Sequence, residues 1–239
     1  MKKLLLTVIM VVFPSSIFAI GGLGLSVGSA TFSVDESFSP MMVLEQEVGY
    51  FHQHSFENGG SFGGYLYLDI IPVLGGLDIE INGLVSPYNF TFYNDAMELA
   101  NVEPDTFKFI FAAGNTYITI QKPIFKLGIP FLAKAKLFAG GGFNRHAAIP
   151  IINQEMMESV VLDEDGNTDL AEGEFDSDAL IDYLKENMFD ATGVHFQGGL
   201  QFRLLTFDLF AYYRYTIAKD VVPGNAGFSS MNMRLGLGI

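Results

Sequence analysis

The stretch Val194-His195-Phe196-Gln197-Gly198-Gly199-Leu200-Gln201-Phe202-Arg203-Leu204-Leu205 decides the fold. Val194, Phe196, Leu200, Phe202 and Leu204 fall on one face of an extended chain. His195, Gln197, Gly199, Gln201 and Arg203 fall on the other. A period of two marks a strand with one apolar and one polar side. After the two-residue link Leu205-Thr206 the pattern resumes. Phe207, Leu209, Ala211, Tyr213, Tyr215 and Ile217 oppose Asp208, Tyr212, Arg214 and Thr216. Upstream, Leu77, Ile79, Ile81 and Val85 oppose Asp78, Glu80 and Asn82. From Met231 to Ile239 every odd position is apolar and every even one is polar or glycine.

Alternation over about ten residues is the sequence signature of a membrane-spanning strand, and lipid tolerates such strands only in a closed barrel. Connection lengths agree. The links 72–76, 122–128 and 205–206 are short, whereas 35–60, 93–106, 147–191 and 219–226 are longer and polar. Short inner turns alternating with long outer loops predict an all-β, closed antiparallel up-and-down transmembrane barrel. Its eight strands lie at about 20–34, 61–71, 76–92, 107–122, 129–146, 192–205, 207–218 and 227–239. Ten strands are the alternative. Val43 to Phe56 also alternates, and is read as part of the first outer loop or as an extension of the second strand.

Composition fits this picture. Hydrophobic residues make up 49% of the 239, charged residues only 17%, and mean hydropathy is +0.31. The absence of cysteine excludes a disulfide framework, a thiolate metal site and a cysteine nucleophile. A formal charge of -14 argues against nucleic acid as a partner, since phosphate contacts need clustered lysine and arginine. At the start, Lys2 and Lys3 precede the apolar run Leu4 to Phe13, and Ala19 follows a Pro-Ser-Ser break. That is the layout of a secretory signal peptide over 1–19, leaving 20–239 as the barrel.

In this pattern the chain resembles the bacterial outer-membrane β-barrel superfamily, in its small single-domain members, over about 20–239. The resemblance implies an outer-membrane location, contact with outer-membrane lipid, and recognition of the C-terminal strand by the barrel assembly machinery. It departs from the family in ending on Ile239 rather than an aromatic residue, and in lacking tryptophan. Interface girdle positions therefore fall to Tyr88, Phe90, Tyr93, Phe131, Phe143, Phe207 and Tyr215.

The inward face is expected to carry Asp69, Asp78, Glu80 and Asp208 against Lys134, Lys136, Arg203, Arg214 and Arg234. Eight strands leave just enough room for side chains. So many charges in so narrow a space must pair, since an unpaired buried charge is costly. The bland outcome is a plug, and the sharper one a narrow ion path. Inward glycines such as Gly24, Gly28, Gly236 and Gly238 leave some space.

Loop 147–191 holds 13 acids and one base, Lys185. Its spacing predicts a helix over Ser177–Met188 with Ser177 as N-cap. Asp163 to Glu174 resembles an EF-hand calcium loop, with Asp163, Asp165, Asn167 and Glu174 as candidate ligands. Thr168 stands where that loop needs glycine. Calcium is the one cofactor the sequence suggests, and a solvated acidic turn is the alternative.

Enzyme signals are weak. His54-Ser55 with Glu57 is a candidate nucleophile and base set, and His52 and His54 share a strand face. Neither GxSxG nor a phosphate loop is present. The leading expectation is a non-enzymatic outer-membrane barrel with a structural, surface-binding or limited solute-passage role and no identified protein partner. The alternatives are an outer-membrane lipid or peptide hydrolase, and a soluble lipocalin-like carrier of an apolar ligand.

Overall fold

The first strand, β1 (Gly21–Val34), is paired antiparallel on both sides, with β4 (Phe56–Ile71) and with β12 (Gly227–Gly238). From β4 the pairing runs through β5 (Gly75–Asn94), β6 (Thr106–Ile129), β7 (Ala133–Ala148), β10 (Phe189–Leu204) and β11 (Phe207–Ile217) to β12. The pairing of β5 with β6 completes a ring of eight strands, each antiparallel to its neighbours. The protein is thus an up-and-down β-barrel, seen in a computed structural model that describes residues 21–43, 46–71, 75–94, 103–104, 106–129, 132–162 and 174–238. The signal-peptide segment 1–19 and the candidate ligands Asp163, Asp165 and Asn167 lie outside the described residues, as does the side chain of Glu174.

Alternation along each strand sets the two faces. On β11 every second residue is buried, Asp208 through Thr216, while Phe207 through Ile217 are exposed. Leu25, Phe62, Ile81, Ile120, Phe143, Phe196, Leu200 and Leu235 also point outward and are exposed. The inside is charged and polar, including Asp78, Glu80, Gln197, Asp208, Arg214 and Arg234. This is the reverse of a lipocalin-like carrier, which is apolar inside. No described helix is long and apolar enough to cross a membrane, and apolar strands facing outward are how a barrel meets lipid.

The first outer loop is not irregular. β2 (Ser37–Val43) continues β1 and β3 (Gln46–Gln53) leads into β4. The Ser37↔Gln53 pair carries on the ladder that Val34↔Phe56 leaves. β3 also pairs with the outer end of β5, from Gly49↔Asn94 to Gln53↔Phe90. The alternating stretch at 43–56 is therefore an extension of the wall beyond the rim. Ten strands share the sheet, but eight close the ring.

Two expectations are corrected. Residues 122–128 are not a turn: β6 runs on to Ile129, and the register shifts between Pro123 and Phe125, an irregularity of the kind at which a strand accommodates proline. The helix of the long loop spans Ser177–Glu186 (α2), and its N-cap is Asp176, which accepts from Asp178 N and Ala179 N. The loop holds a second, unanticipated helix, α1 (Gln154–Val160), capped by Asn153. Short strands β8 (Val161–Leu162) and β9 (Glu174–Phe175) pair across the base of the intervening segment.

Candidate functional site

The lumen is built in three layers. The innermost uses the charged residues the sequence singles out. Arg234 bonds Asp78 at 2.5 and 2.9 Å and also pairs with Glu80. Arg214 pairs with Glu80 at 2.5 Å and bonds Gln197 at 2.9 Å. Tyr212 donates to Glu80 at 2.7 Å and accepts from Arg234 Nε at 2.9 Å. Nearer the short turns, Arg203 forks onto Asp208 at 2.8 and 2.9 Å, and Tyr67 pairs with both. Lys136 meets Asp69 at 2.8 Å. Lys134 has no ion pair among the described residues. Glu80 lies between two guanidiniums, the geometry that makes a buried carboxylate tolerable.

Glycines make this layer fit. Gly22 pairs with Gly238, and Gly24 with Gly236, where β1 meets β12. A Cβ on Gly22 would meet the Tyr67 ring and hydroxyl, and one on Gly236 would meet the Tyr65 hydroxyl and Leu23 O. These bare positions accommodate the tyrosines. Tyr65, Tyr67 and Phe210 pack together there, with Phe138 against Phe210. The tyrosines escape a search for charges alone. Their signal was alternation, since both are in phase with Asp69.

A polar middle layer follows. Asn82 donates to Glu80 at 3.0 Å, Asn115 to Asn82 at 2.9 Å, and His146 Nδ1 lies 2.6 Å from Asn115 Oδ1. His195 Nε2 lies 2.8 Å from Thr119 Oγ1. Both imidazoles meet the Tyr117 ring edge-on, and Arg214 stacks over that ring at 3.7 Å. His146 and His195, on either side of the long loop in sequence, thus share one aromatic neighbour inside the barrel.

The outer layer is apolar. Phe32, Phe56, Tyr88, Phe90 and Phe111 of the wall pack with Ile152, Met156 of α1, Tyr183 of α2, and Val221 and Val222. Tyr88 and Phe90, expected in the girdle, are therefore inside. They share the parity of Asp78 and Glu80 on β5, and loop residues cover them from above. Of the other girdle candidates, Phe143, Phe207 and Tyr215 are exposed, Tyr93 is half-buried, and Phe131 lies outside the described residues. Ile152 N donates to Tyr88 Oη at 3.0 Å, fixing the loop to the wall. Burial pushes the Tyr183 hydroxyl above its usual pKa, and the Glu155 carboxylate adds to the rise.

A latch joins the cap to the outer hairpin. Gln154 Oε1 accepts from Met42 N at 2.9 Å and Gln154 Nε2 donates to Met42 O at 3.0 Å. The side chain thus imitates a strand neighbour. Gln154→Ala is expected to cost about 0.5–1.5 kcal/mol per bond lost. It should speed amide exchange at Met42 and leave the lumen residues protected. Unchanged exchange at Met42 would show that the hairpin tip is held by something else.

The candidate enzymatic residues lie outside the lumen. His54 Nε2 is 2.8 Å from Thr91 Oγ1, and its ring is 4.2 Å from that of His52. His52 pairs with Glu36 at 3.0 Å. Among the described residues no serine hydroxyl is bonded to a histidine, and no group of three metal-binding side chains is assembled.

No protein-family model matches the chain, and no curated protein matches it. It is similar to several solved structures. The N-terminal β-barrel domain of OprF from Pseudomonas aeruginosa is 8% identical over 90% of this chain and 98% of that one, with a TM-score of 0.36. Ail, the attachment invasion locus protein of Yersinia pestis, crystallised with the heparin analogue sucrose octasulfate, is 13% identical over 91% and 97%, with a TM-score of 0.28. The outer membrane protease OmpT of Escherichia coli is 13% identical over 91% and 93%, with a TM-score of 0.27. These are bacterial outer-membrane β-barrel proteins. At such identities no residue and no activity carries over, and the barrel rests on its own ring closure.

Proposed function

We propose that the chain is a non-conducting, non-enzymatic β-barrel of the bacterial outer membrane that works through its outer face. One observation carries this reading: the lumen is filled along its length, by ion pairs, then amides and imidazoles, then an aromatic cap. An eight-stranded ring has no room for an aqueous channel beside that filling. The exposed apolar exterior supports the membrane location, with outer-membrane lipid as its neighbour. The wall extension β2–β3, latched to α1, and the acidic loop above it make a platform on a rigid scaffold, where binding usually resides.

The test is conductance of the refolded protein in a planar bilayer, with insertion checked by protease protection. The expected result is silence. Steady single-channel steps from inserted protein would overturn the plug and favour limited passage of small solutes.

A further inference from the structure

The short-turn end of the barrel carries an uncommon arrangement. On the inner face of three neighbouring strands, Lys126 stands opposite Lys136 across β6 and β7, and Lys134 opposite Arg203 across β7 and β10. Like charges directly opposite each other destabilise a sheet. Here two such pairs lie side by side. Internal carboxylates answer only half of them: Asp69 bonds Lys136 at 2.8 Å, and Asp208 takes Arg203. Lys126 is exposed, Lys134 is half-buried, and neither has an ion pair among the described residues. Lys134 faces Gly128, so no side chain stands opposite it on β6.

Asp69 acts on the Lys134 charge but bonds Lys136, so the ammonium groups of Lys126 and Lys134, neither in an ion pair of its own among the described residues, together match one dianion. Neighbouring strands lie about 5 Å apart and alternate residues about 7 Å along a strand, close enough for both lysines to reach one tetrahedral group. Lysine serves phosphate as a point charge, and a phosphomonoester carries about -1.5 to -2 at neutral pH. We propose that this inner mouth is a phosphate site in which Lys126 and Lys134 hold the group and Lys136 and Arg203 flank it. The site faces the periplasm if the outer-membrane reading above holds, and the phosphate belongs to a soluble solute or to a lipid headgroup.

Calorimetric titration of the barrel, refolded in an uncharged detergent, with inorganic phosphate tests the soluble source. Titration of the same detergent-held barrel with short-chain phosphatidic acid, against short-chain phosphatidylcholine as the control, tests the lipid source. Saturable binding is expected in one arm, weakened about a hundredfold or more in Lys126→Ala/Lys134→Ala, which loses two charge-assisted contacts at once. Lys185→Ala, on α2, should bind as the parent does. The parent titration stands alone if the double variant does not fold. No saturable binding in either arm, or equal binding by the folded double variant, would overturn the site. Conductance does not depend on these lysines, so failure here and failure of the plugged-barrel reading are separable.

Discussion

Replacing Arg234 with methionine is expected to destabilise the barrel by about 3–5 kcal/mol, the usual cost of removing one partner from a buried ion cluster. Arg234 is 1% exposed and serves Asp78, Glu80 and Tyr212 together. Without it, Glu80 keeps Arg214, but Asp78 loses the guanidinium that holds both its oxygens. Asp78→Asn in the same chain should recover a good part of the loss, because it removes the charge left stranded. Urea unfolding followed by circular dichroism is the measurement, as the chain lacks tryptophan. If Arg234→Met unfolds at the parent's urea concentration, the lumen is wet and the plug is wrong.

On the opposite face, Leu200→Arg is expected to cost about 2–4 kcal/mol when the protein is unfolded from lipid vesicles. Leu200 is 59% exposed, sits mid-strand on β10, and is flanked by Leu137 and Ala211. In a water-soluble barrel the same exposed change stays within about 0.5 kcal/mol. One variant thus separates a lipid-facing belt from a wetted surface. A null result would mean a wetted exterior and overturn the membrane location.

What was legible in the sequence follows from period. The face a strand residue takes depends only on parity within its own segment, so Asp78, Glu80, Arg203, Asp208, Arg214 and Arg234 could be placed without knowing any partner. Phe210 shows the limit: it shares their parity and is buried, yet its apolar character hides it among the polar residues. Tyr88 and Phe90 read as girdle residues in the sequence, because an inward aromatic needs a cover, and theirs comes from Met156 and Tyr183, more than 60 residues away. The latch at Gln154 was invisible for the same reason. Its partner is the backbone of Met42, and a backbone group leaves no mark on composition. Pro123 and Gly128 read as breakers in the sequence, whereas β6 continues through both with a register shift after the proline.

The meeting of Gly22 with Gly238 and Gly24 with Gly236 has a consequence for biogenesis. The staves on either side of that joint lie at opposite ends of the ring's sequence. Every other ring contact can form between successive strands, but this one must wait for the whole polypeptide. Until then β1 and β12 each present an unpaired edge, a template for aggregation. Closing the joint also brings Tyr65 and Tyr67 over bare backbone, so its lower half requires no bulky inward side chains to slide past one another. The cylinder therefore matures in one late step, like a hoop fastened after its staves are set.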